Sequence, residues 1–189
     1  MKKKILKHPL TESIVYLICW LLFAIITGAV GGIIGGSFSR LIALGASLRA
    51  EHKWLIFLLP VIGVLIVLLY KVTGEEKNKG TNMVLSSISE KGEVSLPTGP
   101  LIFVSTVLSH LGGASVGREG AALQLGGWLG TVFAKLIRLD ENKKKIATMC
   151  GMAAVFAALF GTPVAAAVFS IEVISVGVFY YAALVPCIV

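Results

Sequence analysis

Charge is scarce in this chain. Of its 189 residues only 14% are Asp, Glu, Lys or Arg, while 56% are hydrophobic, and the mean hydropathy is +0.89. That poverty excludes an ordinary soluble domain. Acid is scarcer than base, 10 Asp and Glu against 17 Lys and Arg, for a formal net charge of +7. Such an excess could serve nucleic acid, but the basic residues gather in short links between apolar runs. That placement fits topology signals and anionic lipid headgroups, so the bilayer and not nucleic acid is the expected partner. Cysteine is rare too. Cys19, Cys150 and Cys187 lie inside apolar segments without metal-ligand spacing, and are expected to pack. His8, His52 and His110 are scattered and His-Glu-x-x-His does not occur; Gly113-Ala114-Ser115-Val116-Gly117 matches Gly-x-Ser-x-Gly, but it follows an apolar helical segment and not a strand. An intramembrane hydrolase would need a nucleophile and base or a metal set, so no enzyme, metal or cofactor is expected, and His110 reads as a satisfied core residue.

What the chain has in quantity is apolar length broken by glycine. Ser13 to about Leu48 reads as one long helix, with Gly28, Gly32 and Gly36 at spacings of four and Gly31 and Gly35 one face over. Small residues at that spacing let helix backbones approach closely in lipid. The Lys-rich start followed by this long run, with no small-residue cleavage site, reads as a retained first membrane helix with a cytoplasmic amino end. After a polar link at Arg49, Glu51, His52 and Lys53, Trp54–Val72 forms a second span, with Pro60 as a kink or helix-opening residue. Thr73–Lys79 is a hydrophilic stretch. Gly80-Thr81-Asn82-Met83 then leads into apolar residues, where Thr81 or Asn82 could cap a short helix over Val84–Ser89.

The remaining segments are short. Glu90–Pro100 is a loop, Leu101–Leu111 and Ala121–Ile137 are too short to span comfortably, and Asp140–Lys145 reads as a charged link. Gly126 and Gly130 sit at packing spacing. Thr148–Phe160 reads as a helix stopped by Gly161-Thr162-Pro163, and Val164–Val189 continues apolar around Glu172. Short, Gly- and Pro-interrupted apolar segments mark transporters whose half-helices meet near the midplane. The expected fold class is an all-α polytopic membrane protein with tilted and broken helices.

Between two apolar segments lies Gly112–Gly127, which holds Arg118 and Glu119 bracketed by Gly117 and Gly120. Charges at membrane depth cost roughly 2.5 to 3.5 kcal/mol each on insertion scales and normally face a cavity. A loop that opens a helix also presents unpaired N–H groups at the positive end of a dipole, a site for an anion.

Gly117-Arg118-Glu119-Gly120, followed by Gln124, Gly126 and Gly127, resembles the signature of the CLC family of chloride channels and proton-coupled anion antiporters, with Ala121 in place of the usual Pro. Gly151 through Pro163, continuing to Ile171-Glu172, is similar to a second family segment. The resemblance covers nearly all of the chain and about half of the family, the first of two inverted repeats. The second repeat's Gly-x-Phe-x-Pro loop and anion-binding Tyr have no counterpart, and with the apolar ending at Val189 the chain reads as an amino-terminal repeat that has been cut. Gly80-Thr81-Asn82-Met83-Val84 stands where the family has Gly-Ser-Gly-Ile-Pro, and Glu172-Val173 where chloride/proton antiporters have two glutamates. Both departures resemble the bacterial branch that exports fluoride in exchange for protons.

The resemblance implies a cell-membrane transporter of fluoride or chloride against protons, dimeric when complete, with Glu119 as the protonatable gate. It implies anion contacts at Gly80, Thr81, Asn82, Met83, Gly117, Arg118, Gly120 and Ala121. For Arg118, tying down the loop or snorkelling to water is the preferred role over direct anion contact. Glu172 is either a buried structural acid or a candidate inner acid on a water path. A non-transporting membrane piece and a passive chloride channel are the alternatives.

Overall fold

In the computed structural model, which describes residues 9–76, 80–81, 94–173 and 180–189, every regular element is helical. Helix α1 runs unbroken over Pro9–Glu51, longer at both ends than the sequence suggests. Its buried residues, Trp20, Ala24, Thr27, Gly31, Gly35, Phe38, Ile42 and Gly45, recur every three or four positions and so form one stripe. The stripe faces α3 (Thr98–Gly112) and α5 (Glu141–Phe160). Of the two glycine registers in α1, Gly31 and Gly35 make the close approach. A Cβ on either would meet the Ala154 or Ala158 methyl at 2.7 and 2.8 Å. Gly28, Gly32 and Gly36, the register that leads in the sequence, have open space where a Cβ would go.

After His52 the chain makes a 3-10 turn, Lys53–Leu58, and enters α2 (Leu59–Val72) with Pro60 in its first turn. Pro60 therefore opens a helix, where its missing N–H costs nothing. The helix proposed over Val84–Ser89 and the first part of the Glu90–Pro100 loop lie outside the described residues. Helix α3 ends on Gly113, whose φ of 84° suits a residue without Cβ. Its Gly112 lies against Leu59 and Ile62 of α2.

Helix α4 (Glu119–Leu136) and α5 share the most extensive contact among the described elements. Their backbones touch through glycine, as the spacing of Gly126 and Gly130 implies. A Cβ on Gly126 would stand 2.6 Å from Met152 Cα, and one on Gly130 2.7 Å from Thr148 Cα. The buried hydroxyls of Thr131 and Thr148, 3.1 Å apart, satisfy each other at this seam. The charged residues after Asp140 are not a link. Asp140 caps α5, its carboxylate accepting the Lys143 N–H at 3.0 Å, so Glu141–Lys145 form the helix's first turns.

Gly161, with φ of 70°, ends α5, and Pro163 opens α6 (Pro163–Glu172). The described carboxyl-terminal residues form a 3-10 turn (Tyr181–Ala183) and a short α7 (Leu184–Ile188). Cys187 of α7 meets Cys150 of α5, the buried sulfurs 3.9 Å apart, so both pack as expected. Cys19 does not; it lies on the exposed face of α1.

Candidate functional site

The stretch between α3 and α4 cannot continue either helix. Gly113 turns the chain left-handed, and residues 114–118 stay irregular until Arg118 caps α4. The first helical bond is donated by Ala122 N–H to the Arg118 carbonyl at 2.9 Å. The N–H groups of Glu119, Gly120 and Ala121 thus have no acceptor within the helix and stand at its positive end. The helix opens at Glu119 itself, two residues before the apolar segment that the sequence marks.

The second polar loop comes to the same place. Gly80, at φ of 63°, precedes Thr81, whose hydroxyl accepts a hydrogen bond from Gln124 Nε2 on α4 at 3.2 Å. A Cβ on Gly120 would lie 3.0 Å from that hydroxyl, so glycine there makes room for Thr81. Between the loops is an open cleft of about 460 Å³. Gly80, Thr81, Gly117, Gly120 and Ala121 line it, joined by Tyr70, Ser105, Thr106 and Gln124. Among the described residues no carboxylate lines the cleft, and hydroxyls, an amide and helix-end N–H groups dominate it. Such a surface suits a small anion.

Glu119 stands at the edge of this cleft and is exposed, not partly buried as its depth in the sequence implies, because no described element covers the amino end of α4. Its carboxylate folds back toward Gly117, where a Cβ would come within 2.8 Å of Oε2. Arg118 turns the other way. Its guanidinium lies 5.4 Å from the centre of the Phe160 ring, at the end of α5, and outside the cleft. Among the described residues the ion pairs are Lys143–Asp140 and Lys144–Glu141, and neither Arg118 nor Glu119 takes part. Arg118 therefore lies against α5 and outside the cleft.

Other site residues fall differently. Asn82 and Met83 lie outside the described residues. Glu172, the last residue of α6, is exposed, which removes the buried structural acid as its role here. His110 is satisfied as expected, its Nδ1–H donating to the Thr106 carbonyl at 2.8 Å. Gln124 was legible as a site residue, since it lies one turn beyond Gly120 on the same face of α4. Ser105 and Thr106 left a fainter trace as adjacent hydroxyls in an apolar helix. Tyr70 left none, because a Tyr near the end of an apolar span is ordinary.

Residues 62–189 match the family described as voltage gated chloride channel. The chain is 38% identical over 175 residues to a chloride/fluoride channel protein of Pseudomonas syringae pv. tomato, covering 92% of this chain and 39% of that protein. Its fold is similar to the crystal structure of a CLC-type fluoride/proton antiporter, with a TM-score of 0.84 and 34% identity, covering 91% of this chain and 44% of the other. The chain thus spans less than half the length of each relative.

Proposed function

Since the chain belongs to the voltage gated chloride channel family, we propose that it forms the amino-terminal repeat of a fluoride/proton antiporter, with Glu119 as the gate. The observation that carries the proposal is the convergence of the Gly80-Thr81 loop and the bare amino end of α4 on one cleft beside Glu119. Ionised, the Glu119 carboxylate is itself an anion and competes for the Glu119–Ala121 N–H groups. Protonated, it loses that attraction, and a solute anion takes its place. One proton is thereby exchanged against one anion. Fluoride is preferred over chloride because both relatives carry fluoride in their names, one of them beside chloride, and because a small, strongly hydrated ion demands direct donors in place of water.

The protein would lie in the cell membrane with its amino end cytoplasmic, following the basic residues before α1, and would be dimeric when complete. The test is fluoride and chloride efflux from proteoliposomes with pH recorded inside. Glu119→Gln should keep or lose anion flux but abolish its coupling to protons; coupling of normal stoichiometry in that variant sinks the gate. A passive channel would move anions without proton counterflow in the wild type.

A second reading has its own support. The chain covers 39% and 44% of its two relatives, and the cleft is open. On that basis the 189 residues alone supply part of a pathway and conduct nothing. Efflux from liposomes holding this chain alone would overturn it.

A further inference from the structure

We infer that Gln124 is a positioning residue for the anion, holding the Thr81 hydroxyl so that its proton points into the cleft; this rests on the anion-site reading above. A hydroxyl has one proton to donate and lone pairs to accept with. Gln124 Nε2 occupies a lone pair of Thr81 Oγ1 at 3.2 Å, so the hydroxyl proton is directed away from α4's side chain. Thr81 lines the cleft, so an ion entering there meets the side of the hydroxyl that Gln124 leaves open.

Helix α4 provides both halves of the arrangement. Gly120 leaves the space that Thr81 occupies, and Gln124, one turn on, supplies the amide that fixes it. The Thr81 hydroxyl and the amino-terminal N–H groups of α4, which have no acceptor within the helix, then meet at the same cleft from two loops. A donor already aimed needs no reorganisation when the ion arrives. Fluoride, the stronger hydrogen-bond acceptor and the ion with more hydration to replace, gains more from it than chloride.

The test compares fluoride and chloride flux against concentration in proteoliposomes for wild type, Gln124→Leu, Gln124→Met, Thr81→Val, Thr81→Ser and the double variant Thr81→Val/Gln124→Leu. Losing the amide should raise the half-saturating fluoride concentration about three- to tenfold, with the maximal rate kept and chloride affected less. Thr81→Ser should behave as wild type, and the double variant should be no worse than Thr81→Val. Gln124→Met keeps the side-chain length and serves if the Leu variant fails to fold. Multiplying effects of the two single changes, or an unmoved fluoride half-saturation in both Gln124 variants, would overturn the inference while leaving the anion site standing. A wild type carrying both repeats that moves neither ion would overturn both.

Discussion

Arg118 and Glu119 are neighbours in sequence with opposite tasks. One turns its charge onto the Phe160 ring and the other toward the cleft edge at Gly117. A guanidinium over an aromatic face contributes about 0.5 to 2 kcal/mol. Arg118→Ala should therefore lower thermal stability in detergent by about 1 kcal/mol while changing the fluoride half-saturation little. The reverse outcome would make Arg118 an anion ligand. Asp140 supports a second prediction. The Lys143 backbone N–H and then its side chain hold the Asp140 carboxyl below its ordinary value. A depressed carboxyl stabilises the fold above its unfolded value and ceases to do so as the pH falls through its folded value. The melting temperature should thus decline below about pH 4, and Asp140→Asn, which still caps, should flatten that decline. Residue chemistry of this local kind was legible in advance: the glycines around Glu119 and the satisfied His110 each declare themselves within a few positions. The bond from Gln124 to Thr81 did not, because 43 positions separate the partners and only the packed helices bring them together.

Among the elements, α4 and α5 meet backbone to backbone at Gly126, Gly130 and Gly151. A methyl at Gly151 would press on Gly130 N at 2.7 Å, an atom that cannot swing aside. Overpacking of this sort costs about 1 to 3 kcal/mol, so Gly130→Ala or Gly151→Ala should lower the unfolding midpoint clearly. Gly28→Ala, Gly32→Ala and Gly36→Ala should be tolerated in this chain, since no atom lies within 4 Å of the added carbon. Equal losses in both sets would refute the helix register. The sequence announces that small residues on α1 permit close packing, yet both of its glycine registers are equally regular. Ala154 and Ala158, more than a hundred positions away, decide between them. The start of α5 was obscured for another reason. Its first turns are charged and lie at the surface, so Glu141–Lys145 look like a link until Asp140 is seen to cap them.

At the scale of the molecule, α1 is the longest element, and its length has a consequence for the membrane around it. The charge-free run from Ser13 to Ser39 is ~40 Å long at ~1.5 Å per residue, against a hydrocarbon layer of ~30 Å. To keep that run in hydrocarbon, α1 must lean by about 40°, the upper end of what spanning helices adopt, with Arg40 at the far boundary. Gly31 and Gly35 clamp α5 to α1, and the glycine seam clamps α4 to α5, with no slack at either contact. A change in lean is then carried to Glu119 as a rigid displacement. Fluoride flux should differ between liposomes of short-chain and long-chain phosphatidylcholine, in step with the α1 inclination read by polarised infrared dichroism.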